Sequence, residues 1–441
     1  LTYVRRRCFF CLLMFCPIYI MNCKRIVIAV SALSLLGTAA MAQESKPQLK
    51  WYGFIRNYAA VDTRESVAGT EDFFYYLPKD EKIVDGEDLN ARTSARFAAL
   101  TSRLGLDVTG YEFDGWNMGA KIEADFYSGV SGVTGTATFR LRQAYATIAK
   151  NDLSFKVGQA WHPMAADMPD VISLNTGAPF GPFSRTPLAQ VEYKFFPALT
   201  FTAAAIWQMQ YVSAGPGTND AGVRYSADFI KYSCTPEFYF GLTFAQNGFL
   251  ARAGLDILSI KPRNVDQISK KKVNDRITTV SPFLYAQYSE GLLTLKAKTI
   301  FAQAGEHLNL NGGYGVSKIN SDGSWEYTPT RNLSSWFSAK YGKKLQGVLF
   351  AGYVKNFGTA GTILSKDMLY FSKNSFANMN QMWRLTPTVI YNFGKLALGL
   401  EYEVTSVEYG SWGTNFAEGL ATENLHWITN HRVQAMLKFS F

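Results

Sequence analysis

Apolar and polar side chains alternate with a period of two along most of the chain that follows residue 43. Residues 103–109, 120–126 and 400–405 each place apolar side chains on one parity and charged or small polar side chains on the other. Successive residues of a β-strand point to opposite faces, so this pattern is typical of strands. The alternation predicts a chain of strands with one apolar face and one charged face.

Two architectures can use such strands. A soluble sandwich buries the apolar face and exposes the polar one to water, whereas a barrel in lipid turns its apolar face outward and surrounds water with the polar one. Nearly 400 residues show this pattern without a second domain signature, and the polar face is rich in Lys, Glu and Asp. This favours the barrel. With 47 % apolar and 18 % charged residues, the composition also argues against disorder.

Seven short polar breaks interrupt the alternation, about 40–50 residues apart, which suits a repeat of hairpins. They fall at residues 111–115, 151–152, 196–197, 247–248, 290–291, 342–343 and 394–395. Long polar segments lie between them, at roughly 63–93, 128–138, 161–188, 211–230, 262–275, 303–331, 357–379 and 408–427. Seven turns join fourteen strands, and an opening strand near residues 50–60 and a closing one at 432–441 bring the number to about sixteen. We therefore predict an all-β, transmembrane antiparallel β-barrel with short periplasmic turns and long extracellular loops.

The N-terminal region has the features of an export signal. Residues 24–42 combine a basic start, an apolar stretch and the small-residue site Ala40-Met41-Ala42, which predicts cleavage before Gln43. We expect a signal peptide at 21–42, starting at Met21, after an over-extended N-terminus at 1–20, and a single barrel domain at 43–441. The alternative is an N-terminal membrane anchor, but neither apolar run reaches the ~18 residues that a spanning helix requires.

Cleavage would change the charge and cysteine content. It removes five of the 44 basic residues and no acid, so 39 minus 35 leaves a net charge of +4, and nucleic-acid binding loses its compositional support. Cys234 would be the only cysteine left, which excludes a disulfide or cysteine metal site within one mature chain.

Charged residues on the polar face of the alternating strands are the candidates for the pore lining. The basic set is Arg103, Lys121, Arg140, Arg142, Lys156, Arg252, Lys296, Lys298, Arg384, Arg432 and Lys438. The acidic set is Asp107, Glu123, Asp125, Asp256, Glu401 and Glu403. Opposed walls of the two signs would set a transverse field and an ion preference. Alternatively, these charges pair with one another and simply solvate a wide lumen.

The segment 161–190 is the most informative loop. It contains five prolines and an apolar run at 171–183, which an exposed loop would not usually carry. We expect it to fold back into the lumen as a constriction, with its polar residues beside the solute path: Asp167, Asp170, Asn175 and Arg185. Packing across the outer rim or against a neighbouring subunit is the alternative.

Three segments carry a family resemblance. They are Arg103-Leu104-Gly105-Leu106-Asp107-Val108, Phe139-Arg140-Leu141-Arg142-Gln143-Ala144-Tyr145 and Val157-Gly158-Gln159-Ala160-Trp161. In these the chain resembles the dicarboxylate-channel (DcaP-like) trimeric porins of the bacterial outer membrane. The resemblance implies a homotrimer that passes small, often anionic solutes, with Arg140 and Arg142 near a constriction formed by the loop after the fifth strand.

The predicted function is passive diffusion of small hydrophilic solutes through a water-filled pore. A structural or adhesive barrel with a plugged lumen is the main alternative. A barrel hydrolase has less support, since His431 beside Asn430 is the only candidate fragment, and we expect no enzyme activity. The four histidines show no metal-ligand spacing, so no metal or cofactor is predicted.

The closing strand carries a candidate signal for outer-membrane assembly. Val433, Leu437, Phe439 and Phe441 share the apolar parity, and the terminal aromatic resembles the signal read by the barrel-assembly machinery, so we assign Phe439 and Phe441 to assembly. The expected surroundings are outer-membrane lipid and lipopolysaccharide.

Overall fold

The computed structural model describes residues 47–127, 137–413 and 416–441. The signal peptide predicted at 21–42 and the segment 1–20 lie outside the described residues. Sixteen antiparallel strands make up the wall. The first eight are β1 Gln48–Asp62, β2 Arg103–Phe113, β3 Trp116–Tyr127, β4 Thr138–Lys150, β5 Leu153–Trp161, β6 Arg185–Phe196, β7 Leu199–Ile206 and β8 Glu237–Gln246. The others are β9 Phe249–Ile260, β10 Ile277–Glu290, β11 Leu293–Gln303, β12 Trp325–Gly342, β13 Leu345–Thr359, β14 Met379–Phe393, β15 Leu396–Ser411 and β16 Glu423–Ser440.

The strands close into a ring. Each pairs with its neighbours in sequence, and β1 pairs with β16 from Phe54 opposite Ser440 to Asp62 opposite Arg432. The other edge of β1 pairs with β2 and, nearer the long loops, with a short strand at Ser94–Ala98 that precedes β2. The predicted sixteen-stranded antiparallel barrel is therefore confirmed over the described residues, including the pairing of its first and last strands.

All seven predicted short turns join neighbouring strands at one end of the barrel. Two of them show why the sequence turns there. Asp114-Gly115 and Asn247-Gly248 have positive φ at both residues (49° and 72°, 51° and 79°). This is the left-handed backbone that a two-residue hairpin needs, and Asn, Asp and Gly adopt it at little cost.

The long loops at the other end contain further short elements. Ser66–Gly69 pairs with Phe74–Pro78, Ile83–Val84 with Glu87–Asp88, and Ala214–Pro216 with Val223–Tyr225. Gly313–Ile319 pairs with β12 and with Leu369–Phe371. Helical turns lie at Thr218–Asp220, Asp228–Ser233, Gly305–Leu308 and Lys366–Met368. None of the described helices has the length and apolar character needed to cross a membrane.

The two faces of the wall are opposite to those of a soluble protein. On β16 the apolar Val433 and Leu437 are 48 % and 42 % exposed, whereas Arg432 and Gln434, the two neighbours of Val433, are 1 % and 2 % exposed. Phe439 and Phe441 also point outward. An apolar exterior around a polar interior excludes the soluble sandwich and is the arrangement of a barrel in lipid.

Candidate functional site

The loop between β5 and β6, residues 162–184, enters the barrel and crosses to its far wall. The backbone N–H groups of Ile172 and Ser173 donate to the carboxylate of Glu401 on β15, at 2.8 and 3.0 Å. The hydroxyl of Tyr58 on β1 donates to the carbonyl of Ile172 at 2.6 Å. We call residues 162–184 the inserted loop.

Basic side chains of the β9–β12 wall hold the first half of the inserted loop. The ammonium of Lys298 donates to the carbonyls of Met164 and Asp167 at 2.7 and 2.6 Å, and Arg252 lies 3.0 Å from the Asp167 carboxylate. Buried carbonyls need such donors, so these contacts fix the path of the loop.

Asp170 connects the inserted loop to two strands at once. Lys296 of β11 and Lys340 of β12 each lie 2.8 Å from its carboxylate. Burial alone would raise the pKa of Asp170, but the two ammonium groups hold it below its usual range. The carboxylate therefore stays ionised at neutral pH.

The second half of the inserted loop is held by packing. The ring of Phe180 lies against Phe350, with the centroids 5.9 Å apart, and covers Gly352 of β13. A Cβ atom on Gly352 would be 2.4 Å from the Phe180 ring, so only glycine fits beneath it. Arg384 of β14 donates to the carbonyl of Ala178 at 3.2 Å.

The first long loop also folds inward, which the sequence did not indicate. Residues 73–77 are buried, and Arg384 donates to the carbonyl of Tyr76 at 2.6 Å. Asn175 of the inserted loop donates to the carbonyl of Tyr75 at 3.1 Å, and Tyr409 of β15 to that of Pro78 at 2.6 Å. Together the two loops cover the interior of the β14–β16 wall.

A cavity of about 490 Å³ remains between these loops and the β1–β4 wall. The charged side chains along it are Arg56, Arg103, Glu123, Asp125, Arg140, Arg142, Asp170 and Lys438. A second cavity of about 690 Å³ lies towards the long loops and includes Arg185, Lys373 and Glu306. Both cavities have Tyr76, Tyr127, Arg140 and Tyr211 in their walls, so they are adjacent. We call the first cavity the eyelet and the second the vestibule.

Positive charge exceeds negative charge along the β1–β6 side of these cavities. Arg142 lies 2.7 Å from both Glu123 and Asp125, and Arg140 lies 3.0 Å from Asp125, so these two arginines are paired. In contrast, within the part of the chain that the structure describes, no carboxylate lies within 4 Å of Arg56 or Arg185. Arg56 instead donates to the Thr101 hydroxyl, and Arg185 stacks on Trp161 and Phe183. Arg56 borders the eyelet, so its uncompensated charge faces a solute there, whereas Arg185 borders the vestibule and is only 2 % exposed.

Several residues predicted to line the pore face the interior but are covered by the loops. Lys298, Asp256, Arg384, Glu401, Glu403 and Arg432 are each at most 3 % exposed. All six lie on the inner side of the wall, but the prediction that they line open water is wrong, because the loops cover them. Most of them hold a loop against the wall, and Asp256 belongs to a separate cluster with two histidines.

The other predicted residues take mixed positions. Lys121 lies 2.6 Å from Asp107, as the charge-pairing alternative expects, and Lys156 lies over the Tyr145 ring. Arg56 and Lys340 were not predicted, although both follow the inward parity of their strands, so the same pattern could have identified them.

The structure arranges the histidines in a way that their spacing in the sequence did not indicate. His162 and His307, which the sequence separates by 145 residues, both contact Glu237 and Asp256. His431 and Asn430 point to opposite faces: His431 hydrogen-bonds to Tyr402 on the exterior, and Asn430 donates to Asp62 inside. The candidate hydrolase fragment is therefore not assembled.

Solved structures identify the architecture. The outer-membrane channel DcaP of Acinetobacter baumannii superposes with a TM-score of 0.64 at 20 % identity, covering 92 % of this chain and all of that one. The chain has an outer-membrane porin fold. An anion-selective porin from Comamonas acidovorans gives 0.51 at 12 % identity over 90 % of this chain and all of that one. OmpT, an outer-membrane protein of Vibrio cholerae in its trimer form, gives 0.50 at 11 % identity over 90 % of this chain and 99 % of that one.

No protein-family model and no curated protein matches the sequence. The porin fold is therefore recognised from its structure. In this fold, the eyelet beside the inserted loop is the candidate functional site.

Proposed function

We propose that the protein is an outer-membrane porin through which small hydrophilic solutes diffuse passively, with a preference for anions. The observation that carries this proposal is the eyelet: a polar cavity inside a closed barrel, narrowed by the inserted loop and bordered by more basic than acidic side chains. Arg56 in the eyelet would attract an anion electrostatically, because no carboxylate among the described residues lies within 4 Å of its guanidinium.

Planar-bilayer recording tests both parts of the proposal. We expect purified mature protein to give stable ohmic channels whose reversal potential in a salt gradient has the sign of anion preference. Uptake by liposomes should be faster for dicarboxylates than for sugars or amino acids of similar size. A barrel that inserts but carries no current would contradict the channel proposal and support a structural or adhesive barrel.

We also propose that three copies associate. This proposal is supported by the fold, which the chain shares with OmpT of Vibrio cholerae, a protein that exists in a trimer form. Light scattering of the detergent-solubilised protein should give three chains per particle after subtraction of the detergent.

The remaining partners follow from the location. We propose export through the signal at 21–42, and insertion by the barrel-assembly machinery, which would read Phe439 and Phe441. Deleting Phe441 should reduce the amount of folded protein in the outer membrane. Lipopolysaccharide and membrane lipid would surround the apolar exterior.

A further inference from the structure

Two histidines and two carboxylates meet in the interior near the long-loop end of the barrel. His162 begins the inserted loop, Glu237 begins β8, Asp256 lies on β9, and His307 lies on the helical turn Gly305–Leu308. None of the four is more than 2 % exposed. Four separate segments therefore bring titratable side chains to one enclosed point.

The negative charge at this point needs compensation. Two buried carboxylates are costly without positive charge nearby. In residues 47–127, 137–413 and 416–441, no lysine or arginine lies within 4 Å of either Glu237 or Asp256, and both approach only His162 and His307. The compensating charge must come from protons on the imidazoles or from a bound cation.

His162 makes ordinary hydrogen bonds. Its Nε2 lies 2.7 Å from Oε1 of Glu237, and its Nδ1 accepts the backbone N–H of Met164 at 3.2 Å. Since Nδ1 is an acceptor, the ring proton is on Nε2 and is donated to Glu237. His162 thus orients the Glu237 carboxylate.

His307 is different. Its Nε2 lies 3.6 Å from Oε1 of Glu237 and 3.5 Å from Oδ2 of Asp256, beyond hydrogen-bond length in both cases. Neither ring nitrogen of His307, nor Oδ1 of Asp256, has a hydrogen-bond partner among the described residues. Both side chains are at most 2 % exposed, and Nε2 of His307 faces Oδ2 of Asp256.

The separations of His307 from the two carboxylates fit ligand atoms of one metal ion. Zn²⁺ binds histidine nitrogen and carboxylate oxygen at about 2.0–2.2 Å, so two ligand atoms at a near-tetrahedral angle are roughly 3.3–3.6 Å apart. The distances from His307 to Glu237 and Asp256 lie at the upper end of this range. An imidazolium that neutralised these carboxylates would instead approach to about 2.7–2.9 Å.

We propose that Glu237, Asp256 and His307 bind a divalent transition-metal ion of the zinc class, with His162 as the positioning residue that orients Glu237. A nitrogen and two carboxylate oxygens form a ligand set for such ions, and a hydrogen bond to a ligating carboxylate is a typical outer-shell contact. The ion joins β8, β9 and the turn that carries His307. His162 connects this site to the inserted loop, and the N–H of Phe183 donates to the carbonyl of Leu308 at 2.9 Å between the same two segments. Binding does not depend on whether the channel conducts.

The test measures metal content in protein without a histidine tag. Folded protein is treated with a chelator, desalted, incubated with Zn²⁺, desalted again and analysed by plasma mass spectrometry. We expect about one Zn²⁺ per chain for the wild type and for the control His431→Gln, whose imidazole lies on the exterior. His307→Gln should retain less than a tenth of this amount. Co²⁺ in place of Zn²⁺ should give the visible absorption of a four-coordinate site.

Two more variants separate ligand from positioning residue. Asp256→Asn keeps the side-chain volume and should also lose the ion. This second ligand variant keeps the test decisive if His307→Gln does not fold. Folding of each variant is measured by its heat-modifiable migration in SDS gels. His162→Gln can still donate to Glu237, so it should keep the Co²⁺ spectrum with affinity reduced about tenfold. Wild-type protein without stoichiometric Zn²⁺, or folded His307→Gln or Asp256→Asn with wild-type content, would overturn the proposal and assign protons to the imidazoles.

Discussion

Glu401 on β15 accepts the backbone N–H of Ile172 at 2.8 Å and so joins the barrel wall to a loop 229 residues away in the sequence. The same carboxylate accepts the N–H of Ser173 and the hydroxyl of Thr388. The donors that reach it from the described part of the chain are all neutral, and it is 1 % exposed. This contact fixes where the inserted loop lies in the lumen.

Replacing Glu401 with glutamine should therefore loosen the inserted loop. The amide presents an NH₂ group to donors that now bind oxygen, and an unmade buried hydrogen bond costs about 1–3 kcal/mol. We expect single-channel records of Glu401→Gln to show larger and noisier conductance than the wild type. Glu326→Gln, an exposed substitution at the start of β12, is the control and should leave the records unchanged. Identical records for both variants would show that Glu401 does not position the loop.

Gly352 offers a steric test of the same loop. A Cβ atom at 352 would overlap the Phe180 ring, whereas one at Gly347 of the same strand meets no atom within 4 Å. Gly352→Ala should displace Phe180 and destabilise its packing by about 1–3 kcal/mol. Gly347→Ala should change neither the channel records nor the stability of the barrel. Single-channel noise and the temperature of barrel unfolding both measure the difference. Equal behaviour of the two alanine variants would contradict the packing of Phe180 on Gly352.

The Asp170 contacts predict a response to acid. The pKa of Asp170 is lowered, so its ion pairs contribute fully above its ordinary value of 3.8 and are lost as the pH falls through the lowered value. We expect the conductance noise of the wild type to increase on acidification below about pH 4. Asp170→Asn should already be noisy at neutral pH, with a smaller change on acidification. An acid response of the same size in the variant would assign it to other carboxylates.

Arg56 should contribute to anion preference more than its paired neighbours do. Its guanidinium has no carboxylate within 4 Å among the described residues, so Arg56→Gln removes positive charge from the eyelet without leaving a buried acid unpaired. We expect the reversal potential in a salt gradient to move towards cation preference. Lys318→Gln, in an exposed hairpin, is the charge-matched control and should not shift it. An unchanged reversal potential for Arg56→Gln would remove Arg56 from the selectivity proposal.

The proposed signal peptide predicts a defined mature N-terminus. Cleavage after Ala42 would leave Gln43 as the first residue, because small residues at positions 40 and 42 suit the signal peptidase. Intact mass spectrometry of protein purified from outer membranes should give the mass of residues 43–441. A protein that retains residues 24–42 would support the membrane-anchor alternative.

The sequence by itself determined the wall of this protein. Period-two alternation and turn residues are local properties, because each side chain's face follows from its parity and each hairpin from one or two residues that accept positive φ. They were sufficient for the strand number, the seven turns and the pairing of the first and last strands. They also indicated that residues 171–183 are too apolar for an exposed loop.

Only the tertiary structure decided which inward residues meet water. Arg142 and Lys298 both follow the inward parity of their strands, yet Arg142 borders the eyelet and Lys298 is covered by the inserted loop. The same holds for His162 and His307, which come together only because two loops fold into the same part of the barrel. Parity sets the side of the wall a residue occupies. What covers it depends on hydrogen bonds and packing between segments more than 100 residues apart, which no local pattern records.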